Sequence, residues 1–530
     1  MIDDTAATDA TTTAPAGAGP GDPGWQEGQP VEERGANRSQ RPGSAAFLEF
    51  VTSGWAPRPA SGVTRGPAAD FTSARRSALS GKFPGRRLVV PAGTFKARSN
   101  DTDYRFRPHS AFAHLTGLGV EQEPDAVLVL HPVADGTGDD GSGHHAVLYL
   151  RPLAGRDTTE FFSDSRYGEF WVGARPTLED VETLTGISTR HLDDLRDALA
   201  KDVGSGGVQL LVVPEVDPAV EAVVEEIRRQ EAERVAEQED RDEHLVEALS
   251  ELRLVKDAHE VEQMRLAVAT TIEGFEKVVR ALPAAQAHAR GERVVEGTFV
   301  GHARQEGNAV GYETIAAAGE HATTLHWIDN DGQVRAGELL LLDAGVEVDS
   351  LYTADLTRTL PVDGVFTEVQ RRVYQAVLDA ADAAFAAAVP GARFRDVHAA
   401  AMEVIAARLD EWGLLPVPAA QSLHPDNQHH RRWMVHGTSH HLGLDVHDCA
   451  QARAELYLDG VLEPGMVFTI EPGLYFKSDD LTVPEEYRGI GVRIEDNVLL
   501  TATGNENLSA ALPRRPEDVE AWMERVRAGA

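Results

Sequence analysis

Two aspartates within residues 337–362, GELLLLDAGVEVDSLYTADLTRTLPV, give the densest chemical signal in the sequence. The apolar run Leu339–Leu342 predicts a core strand that Asp343 interrupts, and Asp355 lies on a second β-prone stretch beyond a turn near Asp349. A hairpin would bring the two carboxylates together. Because like charges in one buried place raise each other's pKa, such a pair predicts a cation between them. Taken alone, Asp343 is equally consistent with a turn residue.

A second cluster, MVHGTSHHLGLDVHD at residues 434–448, is rich in histidine. Its four histidines are His436, His440, His441 and His447. Neutral imidazole is the commonest nitrogen ligand of transition ions and can also donate a proton. Four histidines beside Asp445 and Asp448 favour a functional site, although one or two of them can still be supporting or core groups.

Two further carboxylates occur where core residues would be expected. Glu471 lies in the strand pattern MVFTIEPGLYF, and Glu495 lies in GIGVRIEDNVLL. A buried glutamate needs a partner. Strand alternation places Arg493 on the face of Glu495, so an ion pair would account for Glu495 without a metal. It would leave the other three carboxylates unexplained.

Together, four carboxylates and one or more imidazoles in strand-like or Gly-rich segments predict a metal centre. Hard oxygen ligands with one nitrogen suit Mn²⁺, Co²⁺, Zn²⁺ or Fe²⁺, and bridging carboxylates let two ions lie about 3.5 Å apart. Two ions offer a bridging hydroxide at neutral pH and a Lewis acid that polarises a carbonyl. A nearby glutamate could carry the proton of that water to a leaving amine. The physical prediction is a dinuclear hydrolase.

The segment from about 67 to 205 alternates short apolar runs with polar stretches and predicts an α/β domain. The predicted strands are Arg87–Val90, Ala126–Leu130, Ala146–Leu150 and Leu210–Val213. The predicted helices between them are Phe71–Leu79, Thr177–Leu184 and Leu192–Leu199.

From Asp217 to about Leu254 the sequence is dense in Glu and Arg, with apolar residues at helical intervals, which predicts one long connecting helix or two. Asp257 and Glu260 form a capping-box pattern that marks the start of a second domain. The helix that follows is expected to place four residues on or near one face, namely Val261, Met264, Leu266 and Val268.

The second domain runs to about residue 510. It mixes helices, Glu368–Ala388 and Phe394–Trp412, with Gly-punctuated strand pairs, and this mixture predicts an α+β architecture. Residues 1 to about 45 contain almost no large apolar side chains and predict a disordered tail.

Composition narrows the classes of function. The chain has 530 residues, 42% of them hydrophobic and 25% charged, as in a globular protein with large cores. A formal charge of -35 would repel a phosphate backbone, so no nucleic-acid partner is expected. A single cysteine, Cys449, and the lack of any run of 18 apolar residues or of a signal-like amino terminus predict a cytoplasmic protein without membrane contact.

The ordered contexts DAG, ADLTRT, HGTSHHLGLDVHD, EPGLY and RIED resemble those of the pita-bread metallopeptidases, the creatinase and methionine aminopeptidase superfamily. Within it, the match is closest to the aminopeptidase P family, and it covers roughly residues 70–505. The resemblance implies an α+β pita-bread catalytic domain preceded by an α/β domain. With the composition and periodicity described above, the predicted division is a tail at 1–45, the α/β domain at 67–215, an acidic helical linker at 216–256, the catalytic domain at 257–510, and a helix or tail at 511–530.

The resemblance also implies the ligands of two Mn²⁺ ions, with Co²⁺, Zn²⁺ or Fe²⁺ as alternatives. The implied ligands are Asp343, Asp355, His440, Glu471 and Glu495. Asp355 and Glu495 would bridge the ions, and Glu471 would double as general acid and base. Asp343 is also expected to contact the free amino terminus of the substrate.

Other matching positions imply substrate contacts. His447 would bond the scissile carbonyl, and His326 with Arg493 would form a wall of the proline pocket. His436 matches a further active-site histidine, and Tyr475 matches a tyrosine near that arginine. Two matches fall in the first domain: Asp101, an acidic residue that would face the active site, and Trp171, which a neighbouring subunit would contribute in tetramers.

The implied activity is release of the first residue from peptides with proline second, by a dimer or tetramer. A prolidase, which cleaves only Xaa-Pro dipeptides, and a non-catalytic peptide-binding module are the alternatives. The amino-terminal tail and the acidic helical stretch exceed a minimal family member. The spacing of two aspartates also departs from the family pattern: Asp343 and Asp355 are twelve positions apart instead of eleven. A bulge or a longer turn near Val348–Leu351 must therefore restore the register.

Overall fold

The computed structural model describes residues 44–100, 102–120, 124–133, 136–139, 143–204, 207–229 and 235–529. The tail predicted over residues 1–45 lies outside these ranges, except for its last two residues. Asp101 also lies outside them. Within the described residues, no helix is both long enough and apolar enough to cross a membrane.

The α-helices of the described residues are α1 (Ala45–Thr52), α2 (Ala69–Lys82), α3 (Ser110–Thr116), α4 (Glu160–Ser163), α5 (Glu169–Val172), α6 (Leu178–Thr185), α7 (Leu195–Ala200), α8 (Pro218–Arg229), α9 (Val235–Leu252), α10 (Ala258–Gln286), α11 (Gly291–Glu306), α12 (Glu368–Ala387), α13 (Phe394–Glu411), α14 (Ala419–Ser422) and α15 (Pro516–Ala528). The strands are β1 (Arg86–Pro91), β2 (Ala97–Ser99), β3 (Thr102–Asp103), β4 (Val127–Pro132), β5 (His144–Leu150), β6 (Ser188–His191), β7 (Gln209–Val212), β8 (Ala309–Val310), β9 (Ile315–Ala318), β10 (Leu339–Ala344), β11 (Val346–Glu347), β12 (Leu356–Pro361), β13 (Val467–Ile470), β14 (Gly473–Tyr475), β15 (Gly491–Arg493), β16 (Asp496–Thr501) and β17 (Gly504–Asn507).

The chain packs into two compact units. Among the described residues, the smaller one comprises 44–62, 95–100, 102–106 and 152–180, and the larger one comprises 63–94, 107–120, 124–133, 136–139, 143–151, 181–204, 207–229 and 235–529. In the smaller unit, the rings of Trp55 and Phe161 contact edge to face at 5.5 Å, and Phe170 packs against both. The domain boundaries expected from the sequence stay a prediction.

A five-stranded mixed sheet in the larger unit confirms the four predicted strands. Its order is β6-β5-β4-β1-β7, with β4 antiparallel to both β1 and β5, and with β7 and β6 parallel to β1 and β5. The three predicted helices are also present, although the stretch from Leu192 opens with a short 3-10 turn, Leu192–Asp194, before α7.

Two helices, α8 and α9, occupy the acidic stretch, and α10 begins at the predicted capping box. The Asp257 carboxylate accepts a hydrogen bond from the Glu260 amide, and the Glu260 carboxylate accepts one from the Asp257 amide. Met264 and Val268 of α10 are buried, but Leu266 is 51% exposed. The prediction was wrong for Leu266, because a residue two positions from both buried neighbours lies on the opposite side of a helix.

Short antiparallel sheets position the predicted site. Strands β9, β10 and β12 form one sheet in the order β12-β10-β9, and strands β13, β16 and β17 form another in the order β13-β16-β17. An isolated bridge between Thr357 and Glu495 links β12 to the segment just before β16. One apolar core joins β10 to helices α10 to α13, with Leu340, Val373 and Val397 fully buried in it.

The chain between Asp343 and Asp355 contains a tight turn at Val348–Leu351, where the spacing of twelve residues predicted a bulge or a longer turn. The Leu351 amide donates to the Val348 carbonyl at 2.8 Å, and Leu351 has φ 71°, an uncommon conformation for a branched residue. Beyond the turn, β10 and β12 pair with Asp343 opposite Thr357. The register is thus kept despite the extra residue.

Candidate metal centre

Four carboxylates lie at strand ends of the larger unit. Asp343 is in β10, Asp355 directly precedes β12, Glu471 directly follows β13, and Glu495 lies between β15 and β16. Asp343, Asp355 and Glu495 are buried, with at most 7% of each residue exposed. Strands from three pairings therefore converge their acidic ends on one place, although the acids are spread over 150 positions of the sequence.

The His440 imidazole lies among three of these carboxylates. Its Nε2 atom is 3.3 Å from Asp355 Oδ2, 3.7 Å from Glu471 Oε1 and 3.9 Å from Glu495 Oε1. Possible ligand atoms of Asp355, His440 and Glu495 all lie within 4.8 Å of one another. Oxygen atoms with one imidazole nitrogen at such spacing fit a divalent transition ion.

The Tyr312 hydroxyl contacts two of the acids. It hydrogen-bonds Asp343 Oδ1 at 2.6 Å and also reaches Asp355 Oδ1. Burial, together with the charges of Asp343 and Asp355, raises the pKa of Tyr312 well above its usual value. Sequence reasoning missed this residue. The only signal was its place three residues before Ile315, which pairs with Asp343 across β9 and β10.

Arg493 forms its ion pair with Asp343. The alternative, an ion pair between Arg493 and Glu495, is therefore wrong, because the guanidinium donates to Asp343 of β10 instead. Glu495 accepts a hydrogen bond from the Thr357 hydroxyl at 2.7 Å. The guanidinium also donates to the Tyr475 hydroxyl at 3.1 Å.

Burial and mutual repulsion shape the acid-base properties of the cluster. Burial raises the pKa of Glu471 to about 7, even though His440 and Arg493 favour its charged form. Burial alone would lower the pKa of His440, but its hydrogen bond to Asp355 and the nearby Glu471 charge raise that pKa to about 9. Burial, Asp355 and Glu471 raise the pKa of Glu495 well above its usual value. A group of acids that resists full ionisation without a cation is the expected state of a cation site.

The cluster forms one end of a cavity of about 630 Å³. His326, His436, His447 and Arg493 line it, together with the apolar residues Ile315, Leu325, Ile328 and Val446. The His436 Nε2 atom bonds the Tyr475 hydroxyl at 2.8 Å, and the His447 ring lies 4.4 Å from the His440 ring. Burial and the charge of Arg493 lower the pKa of His436 to about 3, so this imidazole is neutral near neutral pH. The cavity offers apolar walls and fixed polar groups, as ligand sites do.

Not every candidate of the histidine-rich segment faces the cavity. His441 is buried and stacks on Phe394 with ring centroids 4.8 Å apart, which makes it a core residue. Asp448 accepts from Arg253 at 2.8 Å and lies 3.8 Å from the Lys256 ammonium. Asp448 thus belongs to a buried network of charges with Arg253 and Lys256.

Two site candidates came from the predicted first domain. Asp101 lies outside the described residues. Trp171 belongs to α5 of the smaller unit, where its side chain is exposed and its indole N–H donates to the Phe162 carbonyl at 2.8 Å.

Strands that bring four carboxylates and an imidazole to the end of one cavity define a metallopeptidase of the pita-bread class. Residues 262–502 match the family described as metallopeptidase family M24, and residues 72–211 match the aminopeptidase P N-terminal domain. The predicted fold class, an α+β pita-bread catalytic domain with an α/β N-terminal domain, is confirmed.

Similarity to known proteins extends over nearly the whole chain. It is 50% identical over 496 residues to Xaa-Pro aminopeptidase 1 of Streptomyces coelicolor, a match that covers 93% of this chain and 95% of that protein. The Xaa-Pro aminopeptidase of Escherichia coli is 32% identical, with 86% and 97% covered. A solved Escherichia coli aminopeptidase P variant in complex with substrate has a TM-score of 0.72 at 29% identity, with 87% and 100% covered. The chain belongs to the Xaa-Pro aminopeptidase family and is a metal-dependent hydrolase.

Proposed function

We propose that this enzyme removes the first residue from peptides with proline in second position, using two Mn²⁺ ions. The ligands would be Asp343, Asp355, His440, Glu471 and Glu495, with Asp355 and Glu495 shared by both ions. The observation that supports this is the position of the His440 Nε2 atom, within 3.9 Å of three separate carboxylates. When bound, such ions acidify water and polarise a carbonyl. Co²⁺, Zn²⁺ and Fe²⁺ are the alternatives to Mn²⁺, since oxygen ligands with one imidazole nitrogen suit each of these ions.

Glu471 is the proposed general base and acid. Its carboxylate lines the cavity beside the other proposed ligands, where it can take a proton and return it, as such a role requires. His436 Nδ1 lies 3.6 Å from one Glu471 oxygen, and His440 lies 3.7 Å from the other, so the carboxylate is held between two imidazoles. We infer that Glu471 receives the proton of the attacking water and delivers it to the proline nitrogen.

The remaining cavity groups would hold the peptide. An Xaa-Pro bond has no N–H to donate, and its ring needs a pocket in place of strand pairing. Arg493 is fixed by Asp343 and Tyr475, so its guanidinium offers a rigid wall in the cavity that His326 also lines. We propose that these two residues flank the proline ring and that His447 donates to the scissile carbonyl. Asp343 would attract the free amino terminus, which limits cleavage to the first residue.

Four further properties predicted from the sequence do not concern the cavity described above. A substrate contact by Asp101, a contribution of Trp171 across subunits, assembly as a dimer or tetramer and a cytoplasmic location all stay predictions. The prolidase alternative predicts cleavage of Xaa-Pro dipeptides alone, whereas the proposed aminopeptidase cleaves Xaa-Pro-Xaa tripeptides.

The test combines metal analysis with an assay on both peptides. Metal-depleted protein given Mn²⁺ should bind two ions per chain and release the first residue of an Ala-Pro-Ala tripeptide. Glu471→Gln should lower kcat by about 10²–10⁴, the usual share of a general acid-base group. Glu368→Gln, at a carboxylate 94% exposed on α12, serves as the matched control and should keep full activity. Full activity of Glu471→Gln would remove Glu471 from its proposed role.

A further inference from the structure

Glu292 is a buried carboxylate that the reaction described above does not use. It lies in the first turn of α11 and has no exposed surface. One of its oxygens accepts from the Ala318 amide and the His321 ring, both at 2.8 Å. The other accepts from the Trp327 indole at 2.9 Å and the Gly332 amide at 2.7 Å. These four donors fill the acceptor sites of the carboxylate.

All four donors come from one stretch of chain, residues 318–332. The backbone joins the same contact, because the Glu292 amide donates to the Gly332 carbonyl at 3.1 Å. A Cβ atom at Gly332 would lie 2.6 Å from the His321 ring and 2.8 Å from the Glu292 carboxylate, so only glycine allows this approach. Among the described residues, no Lys or Arg forms an ion pair with Glu292. The stretch is therefore wrapped around a single acceptor group.

This stretch carries His326 into the cavity. His326 itself is exposed, and the next residue, Trp327, is the one that Glu292 holds. The Trp327 indole also stacks on the His321 ring with centroids 3.9 Å apart. Farther along, Asn330 at φ 46° bonds the Ala316 amide and the Thr314 carbonyl, which fixes the end of the loop to β9. His326 thus depends on its neighbours for its place.

We propose that Glu292 is a positioning residue for the reaction: by holding the Trp327 indole and the Gly332 amide, it sets where His326 stands against the proline ring. The proposal rests on the function proposed above for His326. A side chain without its own anchor takes its position from the backbone on either side. Displacement of about 1 Å in such a group can cost up to a hundredfold in rate.

A double-mutant cycle tests the proposal. Trp327→Phe keeps the ring on His321 but removes the indole N–H, and Glu292→Gln replaces one carboxylate oxygen by an NH2 group, which cannot accept a hydrogen bond. We expect kcat/KM for Ala-Pro-Ala to fall roughly tenfold in Trp327→Phe and further in Glu292→Gln, mainly through KM, with unchanged manganese content. In a His326→Ala background, the effect of Trp327→Phe should shrink to within about twofold, because coupled residues are not additive.

The outcomes separate the two claims. If the Trp327→Phe and His326→Ala losses multiply, Glu292 does not act through His326 and the positioning proposal is overturned while the role of His326 stands. If His326→Ala alone leaves kcat/KM unchanged, the substrate role of His326 fails and the positioning proposal fails with it. Since Trp327→Phe retains the aromatic stack, it keeps the test open if Glu292→Gln does not fold.

Discussion

The Tyr312 hydroxyl lies 2.6 Å from Oδ1 of Asp343, and the same hydroxyl reaches Asp355 across the hairpin. A phenol has one proton, so the hydroxyl donates to one of the two carboxylates at a time, while its contact with both keeps them close together. Tyr312 is therefore part of the support of the metal centre, although its side chain need not bind an ion.

Tyr312→Phe should lower activity or manganese affinity by about 10–100-fold, the usual cost of removing a hydrogen-bond partner of a metal ligand. Measurement of kcat/KM and of the manganese dissociation constant would check this. Tyr374→Phe is the matched control, because its buried hydroxyl has no hydrogen-bond partner within the described chain, and it should change neither quantity. Equal behaviour of the two variants would show that Tyr312 does not support the site.

A buried ion pair lies next to Glu495, one of the proposed metal ligands. Arg358 contacts Asp496 at 2.6 Å with neither side chain exposed, and it also donates to the Glu495 carbonyl at 2.7 Å. Arg358→Met removes the nearer cation of the buried Asp496 and leaves it only Arg514, at 3.6 Å, which should cost about 3 kcal/mol in the free energy of unfolding. The half-exposed pair of Arg196 and Glu226 offers the control, since Arg196→Met should change stability little. Urea unfolding of both variants measures the difference, and similar losses would contradict the argument.

Stability should fall at acid pH through His131. Its ring accepts from Arg87 at 3.0 Å and contacts the Tyr149 hydroxyl at 3.1 Å; burial and the Arg87 charge lower its pKa to about 3. The unfolded chain takes up this proton below about pH 6.5, whereas the folded chain does not, so stability is lost progressively as the pH falls from 6.5 toward 3.

From pH 7 to pH 5, this one group should cost about 1–2 kcal/mol of unfolding free energy. His131→Gln keeps a polar group that can accept from Arg87 but cannot titrate. Its unfolding free energy should therefore depend less steeply on pH than that of the native protein. Parallel pH profiles for the two proteins would show that His131 is not the group responsible.

The strands, the main helices and the capping box of α10 could be predicted from the sequence because each rests on a local pattern. The carboxylates could be found because a charge in an apolar run is visible without a structure. Arg493 shows where such reasoning stops: alternation placed it beside Glu495, but its partner Asp343 lies on another strand pair. Pairing between distant strands leaves no trace in local spacing.

The roles of Tyr312 and Glu292 could not be predicted from the sequence either. Neither belongs to a motif, and each acts through contacts with segments distant in the chain. The predicted position of Leu266 was wrong for a simpler reason. An apolar residue between two buried ones can still lie on the exposed side of a helix.

We propose that Asp343, Asp355, His440, Glu471 and Glu495 hold two ions together. Anomalous diffraction at the manganese edge, from crystals grown with Mn²⁺, measures this directly. We expect two strong peaks in the cavity, both in contact with Asp355 and Glu495, with His440 bound to one of them. Peaks only at surface carboxylates, or a single peak that Glu495 does not touch, would contradict it.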